Sequence, residues 1–105
     1  MPQFAVHENK NHDTKKTYPY LLDIQTDLLS DLRTTVVIPL RPLINAGKQT
    51  LTRLCPILTI RGRKYVAFTQ QLAGIDRRYL GKIVADLSAA RSDIIAALDF
   101  LVTGF

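Results

Sequence analysis

Toward the end of the chain apolar side chains fall at Val84, Leu87, Ala90, Ile94, Ile95, Leu98, Leu101, Val102 and Phe105, the three-and-four spacing that lines one face of a 3.6-residue helix. The pattern predicts one amphipathic helix within Val84 to Phe105, its regular part at about 88–103, with Ser88 as N-cap and Gly104 where helices end. Earlier in the chain the pattern changes. Gln3 to His7 alternates weakly, Glu8 to Thr17 is polar and loop-like, and Tyr18 to Gln25 returns to aromatic and aliphatic residues, which predicts a hairpin with a long connection. Thr34 to Ile38 is a β-branched run expected to stop at Pro39. Ile57 to Ile60 leads through Arg61-Gly62-Arg63 to Tyr65 to Phe68, a second hairpin with Gly62 at its turn. Strands over about 3–80 followed by a terminal helix describe a mainly β domain, a small curled antiparallel sheet with a helix packed at one end.

A chain of 105 residues has room for one domain, here expected to span 1–105. An apolar fraction of 47% with five Gly and five Pro argues for a folded globule rather than a disordered segment. No targeting segment and no run near the length of a membrane span is read, so the expected location is the cytoplasm, without membrane association. Cys55 is the only cysteine, which excludes an intrachain disulfide, and its apolar surroundings suggest a buried thiol.

The net charge of +5 is unevenly spread. Residues 41–82 carry nine Lys/Arg against one Asp/Glu, whereas residues 1–40 carry four against five and residues 83–105 one against three. Arg61, Arg63, Lys64, Arg77, Arg78 and Lys82 could therefore steer an acidic partner or nucleic acid toward the protein.

Catalytic signatures are missing. His7 and His12 have no third ligand nearby, so neither a metal nor any other cofactor is expected. There is no phosphate loop, nucleophile elbow or zinc-protease motif. Asp76-Arg77-Arg78 could supply a base and two phosphate-binding guanidiniums for RNA cleavage, with His7 or His12 as acid, but reads more simply as exposed loop charge.

Leu22-Asp23-Ile24-Gln25-Thr26-Asp27-Leu28, Val37-Ile38-Pro39-Leu40, Leu54-Cys55-Pro56, Val84-Ala85-Asp86-Leu87-Ser88 with Asp93-Ile94, and Gly104 resemble, in order and spacing, the CcdB family of toxins from type II toxin–antitoxin systems. The resemblance implies an SH3-like small β-barrel of the CcdB/MazF type with a long C-terminal helix, assembled as a homodimer. It implies a protein that is not an enzyme but binds the DNA gyrase A subunit and traps the cleaved gyrase–DNA complex. The gyrase-binding surface it points to comprises Leu28, Leu29, Asp99, Val102, Thr103, Gly104 and Phe105. Thr103-Gly104-Phe105 stands where the family pattern has Trp-Gly-Ile, and Asp99 where it has Asn, so an indole able to stack on an arginine is replaced by a hydroxyl.

The second implied partner is a CcdA-like antitoxin whose disordered tail folds along the toxin; operator DNA would be met only through it. The expected contacts for such an acidic tail are Arg61, Arg63, Lys64, Arg77 and Arg78. The alternative reading is a sequence-specific endoribonuclease toxin on the same barrel, since fold alone does not choose between them. A third is a nucleic-acid-binding module, which predicts steeply salt-dependent DNA binding by the isolated protein.

Overall fold

The computed structural model describes residues 3–46 and 52–104. Among the described residues seven strands precede one helix: β1 (Ala5–Asn9), β2 (Tyr20–Asp23), β3 (Thr34–Pro42), β4 (Ile57–Ile60), β5 (Arg63–Ala67), β6 (Ala73–Asp76), β7 (Leu80–Asp86) and α1 (Arg91–Thr103). All pairings are antiparallel, in the order β4-β5-β3-β2-β1-β7. Strand β6 lies beside β3 as well, on the Thr34–Val37 half, while β5 takes the Leu40–Pro42 half. The sheet curls into a half-barrel, and α1 packs against one of its faces.

Strand alternation sorts the side chains onto two faces. Val6, Leu22, Ile38 and Leu40 point toward the helix, where they join Phe4, Leu58, Ile60 and Tyr65 beneath Leu87 and Ile94. Leu21 and Val37 point the other way and form a smaller cluster with Leu80 and Ile75. The second face also buries His7, Asp23 and Thr35.

Both predicted hairpins are present. Between β4 and β5, Arg61 and Gly62 adopt φ of +51° and +79°, the two positive values a two-residue turn needs to match the twist of its strands. Between β1 and β2 the polar connection is organised by Asn9, whose amide donates to Thr14 Oγ1 at 2.9 Å and to the Tyr18 carbonyl at 2.8 Å. Its oxygen accepts from the Asn11 N–H at 2.9 Å. One buried side chain thus fixes both ends of a turn made of exposed residues.

Four expectations need correction. Pro39 does not end β3; it sits opposite Leu21 inside the strand. The ring removes only a donor, and the Pro39 carbonyl still accepts from the Phe68 N–H at 3.0 Å. Val84 to Asp86 belong to β7 rather than to the helix, with Ala85 and Asp86 paired with Val6 and Ala5 of β1. Strands accordingly continue past residue 80. Ser88 is not the N-cap: the residue before α1 is Ala90, which has no capping side chain, and Ser88 instead donates from its N–H and its hydroxyl to Asp86 Oδ1. These two bonds hold the Asp86 carboxyl below its ordinary range. Gly104 ends the helix as expected, at φ +81°, with its N–H on the Phe100 carbonyl at 2.9 Å.

Phe4 locks the helix junction to the sheet. It is buried at φ +68°, a conformation unusual for an aromatic residue. Its N–H donates to the Asp23 carbonyl at 2.7 Å and its carbonyl accepts from Leu87 at 2.8 Å, so one residue ties the end of β2 to the start of the helical segment.

Candidate functional site

The terminal helix is held by one face and offers the other. Ile94 and Ala97 are buried, and Ile95 and Leu98 are half-buried on the core. The Arg53 guanidinium lies 4.8 Å from the centre of the Phe100 ring, a cation–π contact that fixes the last turn against the segment leading to β4. On the other side Ser92, Asp93, Ala96 and Asp99 are exposed, and the tip consists of Leu101, Val102, Thr103 and Gly104. Val102 is 80% exposed. The Thr103 hydroxyl donates to the Asp99 carbonyl at 2.7 Å, folding that side chain back along the helix. Phe105 lies outside the described residues.

Leu28 and Leu29 sit on a short 3-10 turn, Asp27–Leu29, capped by Thr26 through a bond from the Leu28 N–H. Leu28 is 92% exposed, and Leu29 and Leu32 are exposed beside it. This turn is bonded to Gln3, through Asp27 Oδ1, and to Arg77, through the Leu29 carbonyl, rather than to the helix tip. Leu32 was not singled out from the sequence. Its signal is the return of an apolar residue four positions after Leu28 in an otherwise polar stretch.

The basic residues divide into two kinds. Arg63 and Lys64 are exposed on β5, and neither faces a carboxylate among the described residues. Arg61 at the turn is exposed but donates from Nε to the Val84 carbonyl at 3.2 Å. Arg77 is different. Its side chain is only 20% exposed, with Nε on the Leu32 carbonyl at 2.6 Å, Nη2 on the Leu29 carbonyl at 3.3 Å and Nη1 at 3.9 Å from buried Asp23. It is a structural clamp, unlike Arg61, Arg63 and Lys64, whose side chains are exposed. Neighbouring Arg78 does remain exposed, over the Tyr79 ring.

Two of the groups considered for acid–base work, Asp76 and His7, are occupied otherwise. Asp76 caps the next short turn through the Arg78 N–H at 2.9 Å and faces Arg33 and Arg78 at 4.0 Å each. His7 is fully buried, its Nδ1 at 3.1 Å from the Gly81 carbonyl. A carbonyl only accepts, so that nitrogen carries the proton. Cys55 is buried as anticipated, with Sγ on Gln70 Oε1 at 3.2 Å. Among the described residues no group of three or more His, Cys, Asp or Glu side chains is placed to hold a metal ion, and no helix is long and apolar enough to cross a membrane.

Residues 3–104 match the family described as CcdB protein. The chain belongs to the CcdB family of gyrase-poisoning toxins. Toxins of this family act by binding, with gyrase and an antitoxin as partners. Solved structures with the same CcdB/MazF-like fold include Mycobacterium tuberculosis toxin MazF-mt6, with a TM-score of 0.69 and 14% identity over 90% of this chain and 92% of that one. Another is described as an endoribonuclease from Mycobacterial species, with a TM-score of 0.69 and 12% identity over 97% of this chain and 90% of that one. At such identities the likeness is one of fold.

Proposed function

We propose that two copies of this CcdB-family toxin pair as a homodimer in the cytoplasm and bind the gyrase A subunit through the helix tip and the Leu28–Leu29 turn, without catalysing a reaction. The observation that carries the reading is the exposure of Leu28 and Val102, apolar side chains that have no role in the core of one chain. Two separate patches on one chain suit a two-fold assembly, in which the tip of one protomer can approach the turn of its partner. Asp99 and Gly104 would border the patch and Phe105 would complete it. Gyrase supplies the chemistry. The toxin need only prefer the cleaved state, which it populates in proportion to that preference.

A CcdA-like antitoxin would meet the β4–β5 hairpin, where Arg61, Arg63 and Lys64 offer charge to an acidic segment, with Arg78 as a second, separate contact. Operator DNA would be engaged only through that antitoxin. The endoribonuclease reading has less support, because Asp76 is held by its own turn and by two arginines while His7 is buried.

The test is a cleavage assay with purified protein, gyrase, ATP and supercoiled plasmid, scored for linear DNA after denaturing the enzyme, with RNA incubated alongside. Accumulated linear plasmid and intact RNA are expected. Intact plasmid with discretely cut RNA would overturn the reading.

A further inference from the structure

On the face of the sheet away from α1, a cavity of about 230 Å³ opens between the β1–β2 connection and β6. Its floor is apolar, built from Leu21, Val37 and Ile75 of the smaller cluster with Pro39 and Ala73. Its rim is polar and aromatic: Tyr18, Tyr79, Asn11 and Gln71. The volume lies just below the range of roughly 300 to 1,000 Å³ usual for drug-sized ligands, which suits a single ring system.

The rim groups differ in how far they are committed. Asn9, at the inner end, uses its amide and its oxygen on the loop. Asn11 accepts from the Asp13 N–H through Oδ1, but its amide nitrogen and the whole side-chain amide of Gln71 have no partner among the described residues. Tyr18 is braced edge-on by Phe68 at 5.7 Å. Tyr79 carries the Arg78 guanidinium 5.2 Å from its ring centre, and its carbonyl receives the Lys10 N–H at 3.0 Å. One exposed cation, Arg78, therefore stands over an aromatic residue that also walls an apolar cavity.

We propose that this cavity receives one unpaired base of a single-stranded nucleic acid, against Tyr18 and Tyr79, with Asn11 and Gln71 bonding the base edge and Arg78 holding an adjoining phosphate. Aromatic side chains bind bases of any sequence through their faces, while amides read the edges. An aromatic side chain of an acidic peptide could fill the same volume, but would leave both amides without partners, which is the costlier outcome for polar groups closed off from water. The proposal goes beyond gyrase binding and does not depend on it, because the cavity and the helix tip belong to opposite faces of the sheet.

The experiment uses the full chain and fluorescein-labelled oligothymidylate, followed by fluorescence anisotropy at fixed salt, with an abasic strand of equal length and the duplex with oligodeoxyadenylate as comparisons. Expected is saturable binding to the single strand, weakened roughly tenfold by loss of the bases or by pairing them, the scale of one lost stacking partner. Tyr79→Phe should retain binding. Gln71→Ala should weaken it several-fold, and Ala73→Trp, which fills the cavity from an exposed strand position, should abolish it; thermal melting checks that each variant is folded. Val102→Asp should bind like the parent chain even if it no longer acts on gyrase, so the two readings fail separately. Amide NMR shifts should map to Gln71, Ala73, Ile75 and Tyr79. Equal affinity for the abasic strand or duplex, or shifts confined to Arg61–Lys64, would overturn the proposal and reduce the binding to phosphate attraction. So would a tryptophan-bearing acidic peptide that occupies the cavity when oligothymidylate does not.

Discussion

Arg77 reaches buried Asp23 from the far end of the chain, with Nη1 3.9 Å from Oδ2, while its other nitrogens hold the carbonyls of Leu29 and Leu32. Asp23 in turn accepts from the Thr35 hydroxyl at 2.8 Å and the Gln25 N–H at 3.1 Å. The exposed leucine turn is therefore positioned by a guanidinium whose counter-charge is 2% exposed.

Replacing Arg77 by Ala strips two carbonyls of their donor and leaves the Asp23 carboxylate without its cation. We expect a loss of about 2 to 3 kcal/mol, since removing one member of a buried pair is much worse than never having had the pair. Arg78→Ala, at a site 74% exposed, should change stability by less than about 0.5 kcal/mol. Urea denaturation of both variants checks the contrast.

Gly104 ends α1 in the left-handed region with open space where a Cβ would stand, so the cost of a side chain there is conformational rather than steric. Gly104→Ala should destabilise the chain by roughly 1 kcal/mol and fray the last turn. Circular dichroism during thermal unfolding, together with amide exchange at Val102 and Thr103, measures it.

Ser88 holds the Asp86 carboxyl below its ordinary value of 3.8 through two hydrogen bonds. A depressed carboxyl contributes stability that is present above the unfolded-state value and is lost as pH falls through the folded-state one. Ser88→Ala should raise the Asp86 midpoint toward 3.8 and flatten the acid limb of the stability profile there. A carbon-detected NMR titration of Asp86 reads the midpoint directly, and its staying low in the variant would contradict the assignment.

Leu28→Asp and Val102→Asp alter side chains 92% and 80% exposed, and each should leave unfolding within about 0.5 kcal/mol of the parent. Both should nevertheless reduce gyrase-dependent linear DNA by at least about tenfold, the equivalent of some 1.4 kcal/mol of binding. Retained cleavage in both variants would move the gyrase surface elsewhere.

What the sequence disclosed depended on how local the cause was. The β4–β5 hairpin was legible because Arg-Gly sits between an aliphatic run and one rich in aromatic residues, and the helix because its stripe repeats over several turns. Strands β6 and β7 were not, since Asp76-Arg77-Arg78 interrupts the alternation and β7 is an edge strand with an exposed Ile83. Pro39 reads as a stop only if its missing donor is needed, and the neighbour on that side is not visible in the local pattern. Arg77 looked like loop charge because Asp23, the residue that draws it inward, is remote in sequence. The leucine turn and helix tip came from resemblance to a family, and the cavity from neither route, because its walls come together only when β1, β2, β3 and β6 assemble.

Strand β3 has β2 along one edge and, along the other, β5 and β6 in succession. A slip of one residue would turn Ile38 and Leu40 outward and carry Val37 and Pro39 beneath the helix. The seat of α1 and the floor of the cavity are thus two sides of a single ribbon, and evolution cannot retune one by sliding that ribbon without dismantling the other.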